Sequence, residues 1–219
     1  MSNTNDTKSW HYIEDEDLWM TPRMRTTFVA LLRKFLAKKY AGQTAPNGQP
    51  NEGEWTVSGM FDPSKTGNMK EIKDAVNAVA RTKKPKTDVF SDQKKLNNGI
   101  GSPFLKAEDH VETVTSKGVE VDLDGWLTMK ANGFQARPVV RDSKGEIIDP
   151  SDLTEEEVYS GRWMRLLVRP AYSDKPTDRV KFYLEGVQLL AHDDAIGSMK
   201  RTDGGAFGAV DDEDEDDDI

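Results

Sequence analysis

The sequence predicts a mainly β fold: a small closed barrel of about five strands with one helix inserted after the second. Three observations point there. Residues 162–172 and 179–190 alternate apolar and polar side chains over long runs, the period of a half-buried strand. Residues 54–61, 125–131 and 136–141 repeat that signature between turn-forming stretches. One segment only, residues 68–81, carries a clear helical stripe, with Met69, Ile72, Val76 and Val79 at steps of three and four. Strand-rich domains with short hairpins and a single helix manage their edges by closing into barrels.

In chain order, residues 1–19 are polar and are expected to be flexible. Residues 24–36 are ambiguous: apolar positions 28, 29, 31, 32, 35 and 36 fit a helix, whereas the β-branched start fits a strand. Residues 41–53 are rich in Gly, Pro, Asn and Gln and read as a loop. After strand 54–61, residues 62–67 turn the chain into the helix, where Asn68 and Glu71 have capping-box spacing. Residues 83–110 read as one long polar loop. Residues 142–145 have turn chemistry. Residues 153–158 read as a short helical turn, with Thr154 and Glu157 as a capping box and Leu153 stapled to Val158. The expected core is Leu127, Met129, Met164, Leu166, Val168, Val180, Phe182 and Leu184. The expected organisation is a flexible segment over 1–19, one domain over 20–198 and an acidic tail over 199–219.

The chain has 219 residues and no cysteine, so disulfides, thiolate metal sites and cysteine nucleophiles are excluded. No apolar run is long enough to span a bilayer, and no partnership with a membrane is expected. The formal net charge of −9 is dominated by the eight consecutive acids Asp211, Asp212, Glu213, Asp214, Glu215, Asp216, Asp217 and Asp218; without them it falls to −1. With the terminal Ile219 these residues offer no apolar surface to repay ordering, so a disordered tail is expected. His11, His110 and His192 stand at no metal-ligand spacing from one another. His192, Asp193 and Asp194 read as a turn after the last strand, and Asp122 with Asp124 as an Asx turn before one. No phosphate loop, dinucleotide fingerprint or nucleophile elbow is present. Neither catalysis, a metal nor a cofactor is expected.

The outward faces of the strands carry the functional signal. Alternation sets Trp163, Arg165, Leu167 and Arg169 opposite the core face of their strand. It does the same for Arg179, Lys181, Tyr183 and Glu185, for Trp126, Thr128 and Lys130, and groups Arg137 with Arg141. Cations neutralise phosphates and release counterions, and flat rings stack on bases regardless of identity. The same residues on a single strand could equally be an ordinary solvated face or pack under loops; recurrence across strands favours the binding reading.

The order of motifs carries a family likeness. WTVSGMF (55–61) precedes a helix. Then follow WLTMKAN (126–132), RPVVRD (137–142), YSG (159–161), VRPAY (168–172), VKFYLEGVQ (180–188) and Ile196-Gly197. Together they resemble the phage single-stranded DNA-binding proteins of the OB-fold type, over most of residues 20–198. The resemblance implies a five-stranded OB-fold barrel whose first strand is residues 24–35. It implies coating of single-stranded DNA during phage replication, recombination and repair, in the cytoplasm of an infected bacterium. The strand would lie along Trp126, Lys130, Arg137, Trp163, Arg165, Arg169, Lys181 and Tyr183. The tail is similar to those of such proteins generally, which recruit replication proteins such as a DNA polymerase or a helicase; here Ile219 stands where an aromatic tip is common. The alternative from another class is an interaction scaffold whose acidic tail binds a basic partner.

Overall fold

A computed structural model describes residues 6–36, 42–44, 51–111, 113–133, 136–174 and 177–196. The acidic tail and most of loop 41–53 lie outside the described residues. The strands are β1 (His11–Ile13), β2 (Leu18–Met20), β3 (Met24–Phe35), β4 (Glu54–Phe61), β5 (Phe104–Lys106), β6 (Thr115–Ser116), β7 (Val119–Glu120), β8 (Leu127–Gly133), β9 (Val139–Arg141), β10 (Trp163–Ser173) and β11 (Arg179–Leu189). Helix α1 spans Met69–Arg81, and α2 is one turn, Lys94–Asn97.

Five long strands make a ring of the expected mainly β class. β3 pairs antiparallel with β4, and β4 with β8. β8 runs parallel to β11 at Ala131 and Asn132, and β11 is antiparallel to β10. β10 returns to β3 only at Trp163↔Arg25 and Met164↔Met24. The ring therefore closes narrowly and is not a clean barrel. Beyond that contact β10 pairs with β2, at Leu167↔Met20 and Val168↔Trp19. Residues 24–35 are strand throughout, which resolves the ambiguity of their period.

All eight expected core residues sit inside or against the core, Leu127 only partly buried. Ile72, Val76 and Ala80 on α1 bury the helix's stripe in the same core, with α1 lying against β10 and β11.

Four local expectations are corrected. Residues 6–19 are not a loose arm: they hold β1 and β2, and Trp10 is fully buried. Its indole stacks with Phe182 at 5.9 Å and meets Phe61 and Phe104 edge-on at 6.1 and 5.8 Å. A buried aromatic of that size repays the ordering of the segment that carries it. Asn68 does not close a capping box. It adopts φ 61° and donates its side-chain amide to the Trp10 carbonyl at 2.8 Å, which ties the N-terminal segment to the helix start. Residues 83–110 contain β5 and α2, because Val89, Ile100 and Phe104 are drawn into the core. Residues 153–158 make the expected helical turn, the Val158 and Glu157 amides donating to the Thr154 carbonyl, but not its capping box: the Glu157 carboxylate pairs with Arg162 instead.

A second small core lies outside the ring. Met60, Ala107, Val114, Leu123 and Ile196 cluster there, with Trp126 packed against them. It is locked by a buried ion pair. Arg25 donates to Asp193 at 2.5 Å, and also to the carbonyls of Thr115 and Asp194 at 2.8 and 2.7 Å. The residues read from sequence as a plain turn, Asp193 and Asp194, thus clamp the chain after β11 onto the ring.

Candidate nucleic-acid interface

Alternation along β8 and β11 lays one open groove of about 480 Å³ across β3, β4, β8 and β11. Lys130 and Lys181 line it, with Phe28, Ser58, Asn132 and Arg179. Lys130 holds Glu54 at 2.8 Å, with the lysine half exposed and the carboxylate at the edge of solvent. Such a surface pair is worth about 0–1 kcal/mol, so a phosphate can displace the carboxylate. The Lys181 ammonium lies 5.0 Å from the centre of the Tyr183 ring.

Beside the groove a cleft of about 370 Å³ is lined by Arg137, Tyr183 and Glu185. The Arg137 guanidinium stacks on Trp55 at 5.3 Å. The Arg137 Nε and Trp55 Nε1 donors are buried with no hydrogen-bond partner among the described residues. Arg169 is the cross-strand neighbour of Tyr183 and is half exposed, 4.0 Å from Glu185. The structure thus brings Lys130, Arg137, Arg169, Lys181 and Tyr183 to one region of the outer face.

The other three sequence candidates fall elsewhere. Trp126 and Trp163 line a separate cleft at the end of the ring. Arg165 is a correction: it is 3% exposed and donates to the backbone carbonyls of Thr21 and Asp6, both at 3.3 Å. The alternation was read as inside against solvent. Here the N-terminal segment folds over that position, and its Asp6 and Thr21 carbonyls take up the guanidinium.

Sequence reasoning missed Phe28 and Phe35. They are 37% and 42% exposed, and their rings meet edge-on at 5.0 Å. Their apolar character had been absorbed by the helical period of residues 24–36. The irregular pairing of β3 between Ala30 and Phe35 is what lets residues an odd number apart meet. Trp55 was missed also, and Arg179, which alternation places on the outward face, is absent from the residues expected along the DNA path although it lines the groove.

Among the described residues no three His, Asp or Glu side chains gather as a metal site, and no helix is long and apolar enough to cross a membrane. A five-strand ring whose outer face groups cations with exposed rings defines a β-ring binding module. The chain belongs to the family of the Enterobacter phage Enc34 ssDNA-binding protein, whose family model matches residues 30–219. This is a family of non-enzymatic binding proteins. Among solved structures, the single-stranded DNA-binding protein of bacteriophage Enc34 superposes with a TM-score of 0.60 at 15% identity, over 90% of this chain and 93% of that one. The same protein in complex with ssDNA gives 0.59 at 16% identity, over 87% and 94%. The single-stranded DNA-binding protein gp2.5 of bacteriophage T7 gives 0.51 at 14% identity, over 91% and 98%. At these identities the likeness is one of fold. No curated protein matches the chain.

Proposed function

We propose that this chain binds and coats single-stranded DNA without strong sequence preference, serving phage DNA replication, recombination and repair in the cytoplasm of an infected bacterium. The observation that carries this reading is the groove over β3, β4, β8 and β11, where Lys130, Lys181 and Arg179 lie beside the exposed ring of Phe28. Phosphates meet the cations, and bases stack on Phe28, Phe35 and Tyr183. Neither contact depends on base identity. Arg137 on Trp55 and the half-exposed Arg169 extend the same surface. Arg165 has no part in it.

The acidic tail, Asp211 to Ile219, competes with the strand for these cations. Eight tethered carboxylates act at high effective concentration. Once DNA displaces it, the tail is free to recruit replication proteins such as a DNA polymerase or a helicase.

Tryptophan-fluorescence titration with oligothymidylate across a salt series tests the reading. Quenching that saturates, with affinity falling steeply as salt rises, is expected. Lys181→Ala should lower the salt slope by about 0.7, the value of one phosphate contact on a single strand. A full-length chain that binds no oligonucleotide even at low salt would overturn it and favour the interaction scaffold.

A further inference from the structure

The end cleft holding Trp126 and Trp163 is separate from the groove: the two share no lining residue. It measures about 310 Å³ and gathers Lys8, Arg23 and Lys65 with one acid, Asp62. Asp62 is already committed. It accepts from the Ser64 amide at 2.9 Å and hydroxyl at 2.6 Å, and pairs with Lys65 at 2.9 Å. Lys8 and Arg23 are exposed and form no ion pair among the described residues.

Both indoles are held in place. The Trp163 Nε1 donates to Asp193 at 2.9 Å, and that carboxylate is fixed in turn by Arg25. Trp126 is packed on the outer core, and its carbonyl accepts from the Ala107 amide at 2.9 Å. The Arg23 guanidinium lies 5.1 Å from the Trp163 ring centre, while its backbone amide is tied to the Thr7 carbonyl at 2.7 Å. Fixed rings beside unpaired cations are the parts a nucleotide needs: a flat face for its base and positive charge for its phosphate.

The cleft is also placed on a path from the groove. Trp126, Thr128, Lys130 and Asn132 share one face at two-residue steps. The last three line the groove and the first lines the cleft. Trp126 stands one residue before β8 and four residues from Lys130, about 13 Å at the strand rise, a reach of a few nucleotides.

We propose that this cleft is a second contact for single-stranded DNA, taking a nucleotide of the strand after it leaves the groove. Lys8 and Arg23 hold its phosphates, and its base stacks on the Trp126 indole, since Arg23 and Arg25 lie over the Trp163 ring. The inference rests on the function proposed above and lengthens the footprint beyond the groove.

The test compares thymidylate oligomers of about 5 and about 20 nucleotides, bracketing the roughly 4–16 that one such ring covers. Full-length wild type is set against the Lys8→Ala/Arg23→Ala pair, with Lys8→Glu as a single surface change that leaves Trp163 covered. On the long oligomer the paired variant should lose about 1.4 from the salt slope, 0.7 for each phosphate contact, and its footprint should shorten. The short oligomer, held in the groove, should bind as to wild type. Unchanged slope and footprint in both variants would overturn the proposal, and so would an equal loss at both lengths. The comparison is repeated in a chain ending at residue 210. If the loss disappears there, the cleft holds the acidic tail and the proposal fails. Failure of wild type to bind either oligomer would overturn the proposed function itself, an outcome visible without any variant.

Discussion

Replacing Asp193 by Asn tests the clamp that closes the chain onto its ring. The two carboxylate oxygens of Asp193 meet only donors. Oδ2 accepts from Arg25 at 2.5 Å, Ser116 at 2.8 Å and Trp163 at 2.9 Å; Oδ1 accepts from the Asp194 amide at 2.8 Å and the Lys117 amide at 3.3 Å. Asparagine keeps the shape, removes the charge and turns an NH₂ group toward one of those sets. Arg25 would remain buried, its side chain 2% exposed, without its ion-pair partner, leaving only the more distant charge of Asp194. Removing one partner of a buried pair costs about 3–5 kcal/mol. That is a large share of the roughly 5–15 kcal/mol that holds a domain folded. For a chain of this size it corresponds to a fall in Tm of roughly 6–20 °C. Equilibrium urea unfolding and thermal melts at neutral pH measure it. The pH dependence supplies a second reading. Burial alone would raise the Asp193 pKa, but the hydrogen bonds from Ser116, Asp194 and Trp163 and the charge of Arg25 outweigh it and hold the group below the usual carboxylate range. A carboxylate depressed in the folded state contributes stability above its unfolded pKa, about 3.9, and loses it as pH falls through the folded value. Wild type should therefore shed this contribution below about pH 4, and Asp193→Asn should lack that component. A variant within about 1 kcal/mol of wild type would refute the argument that the pair clamps the structure.

Further outcomes follow from other sites. Trp10→Ala should cost about 3–5 kcal/mol, the scale of a large aromatic lost from a core, and expose residues 6–20 to limited proteolysis; a protease-resistant N-terminus would contradict its anchoring role. Gly161→Ala should also destabilise in urea, because φ is 109° there and an added Cβ would run into the Asp194 carbonyl oxygen; wild-type stability would show that the close approach can relax. Phe28→Ala should weaken oligothymidylate binding by about 1–3 kcal/mol with little preference among bases, read by fluorescence titration. Deleting residues 211–219 should strengthen binding at low salt, and the gain should shrink as screening shortens the Debye length toward about 8 Å. Equal affinity of both chains across the salt series would eliminate competition by the tail.

The strands were legible because burial on one side writes a two-residue period into the chain. Met164, Leu166 and Val168, and Val180, Phe182 and Leu184, needed no partner to reveal their face. The helix at 69–81 was legible for the same reason at a period of 3.6. The sequence by itself also determined the class of residue on the outer faces, the acidic run at its end and the absence of cysteine chemistry. What it could not determine is which outward positions meet water. Arg165 and Arg169 obey one alternation on one strand, yet the N-terminal segment at Asp6 and Thr21 encloses the first and solvent reaches the second. Phe28 stood out only as part of an apolar period, because a period describes a residue's neighbours in sequence, and exposure depends on neighbours in space. Trp10, in a polar stretch, enters the core because the ring leaves room for it beside Phe61, Phe104 and Phe182. Asp193 becomes a counter-ion only because Arg25, 168 residues earlier, is folded against it. Local periodicity records which side of an element is apolar. Only long-range packing decides what lies on the other side.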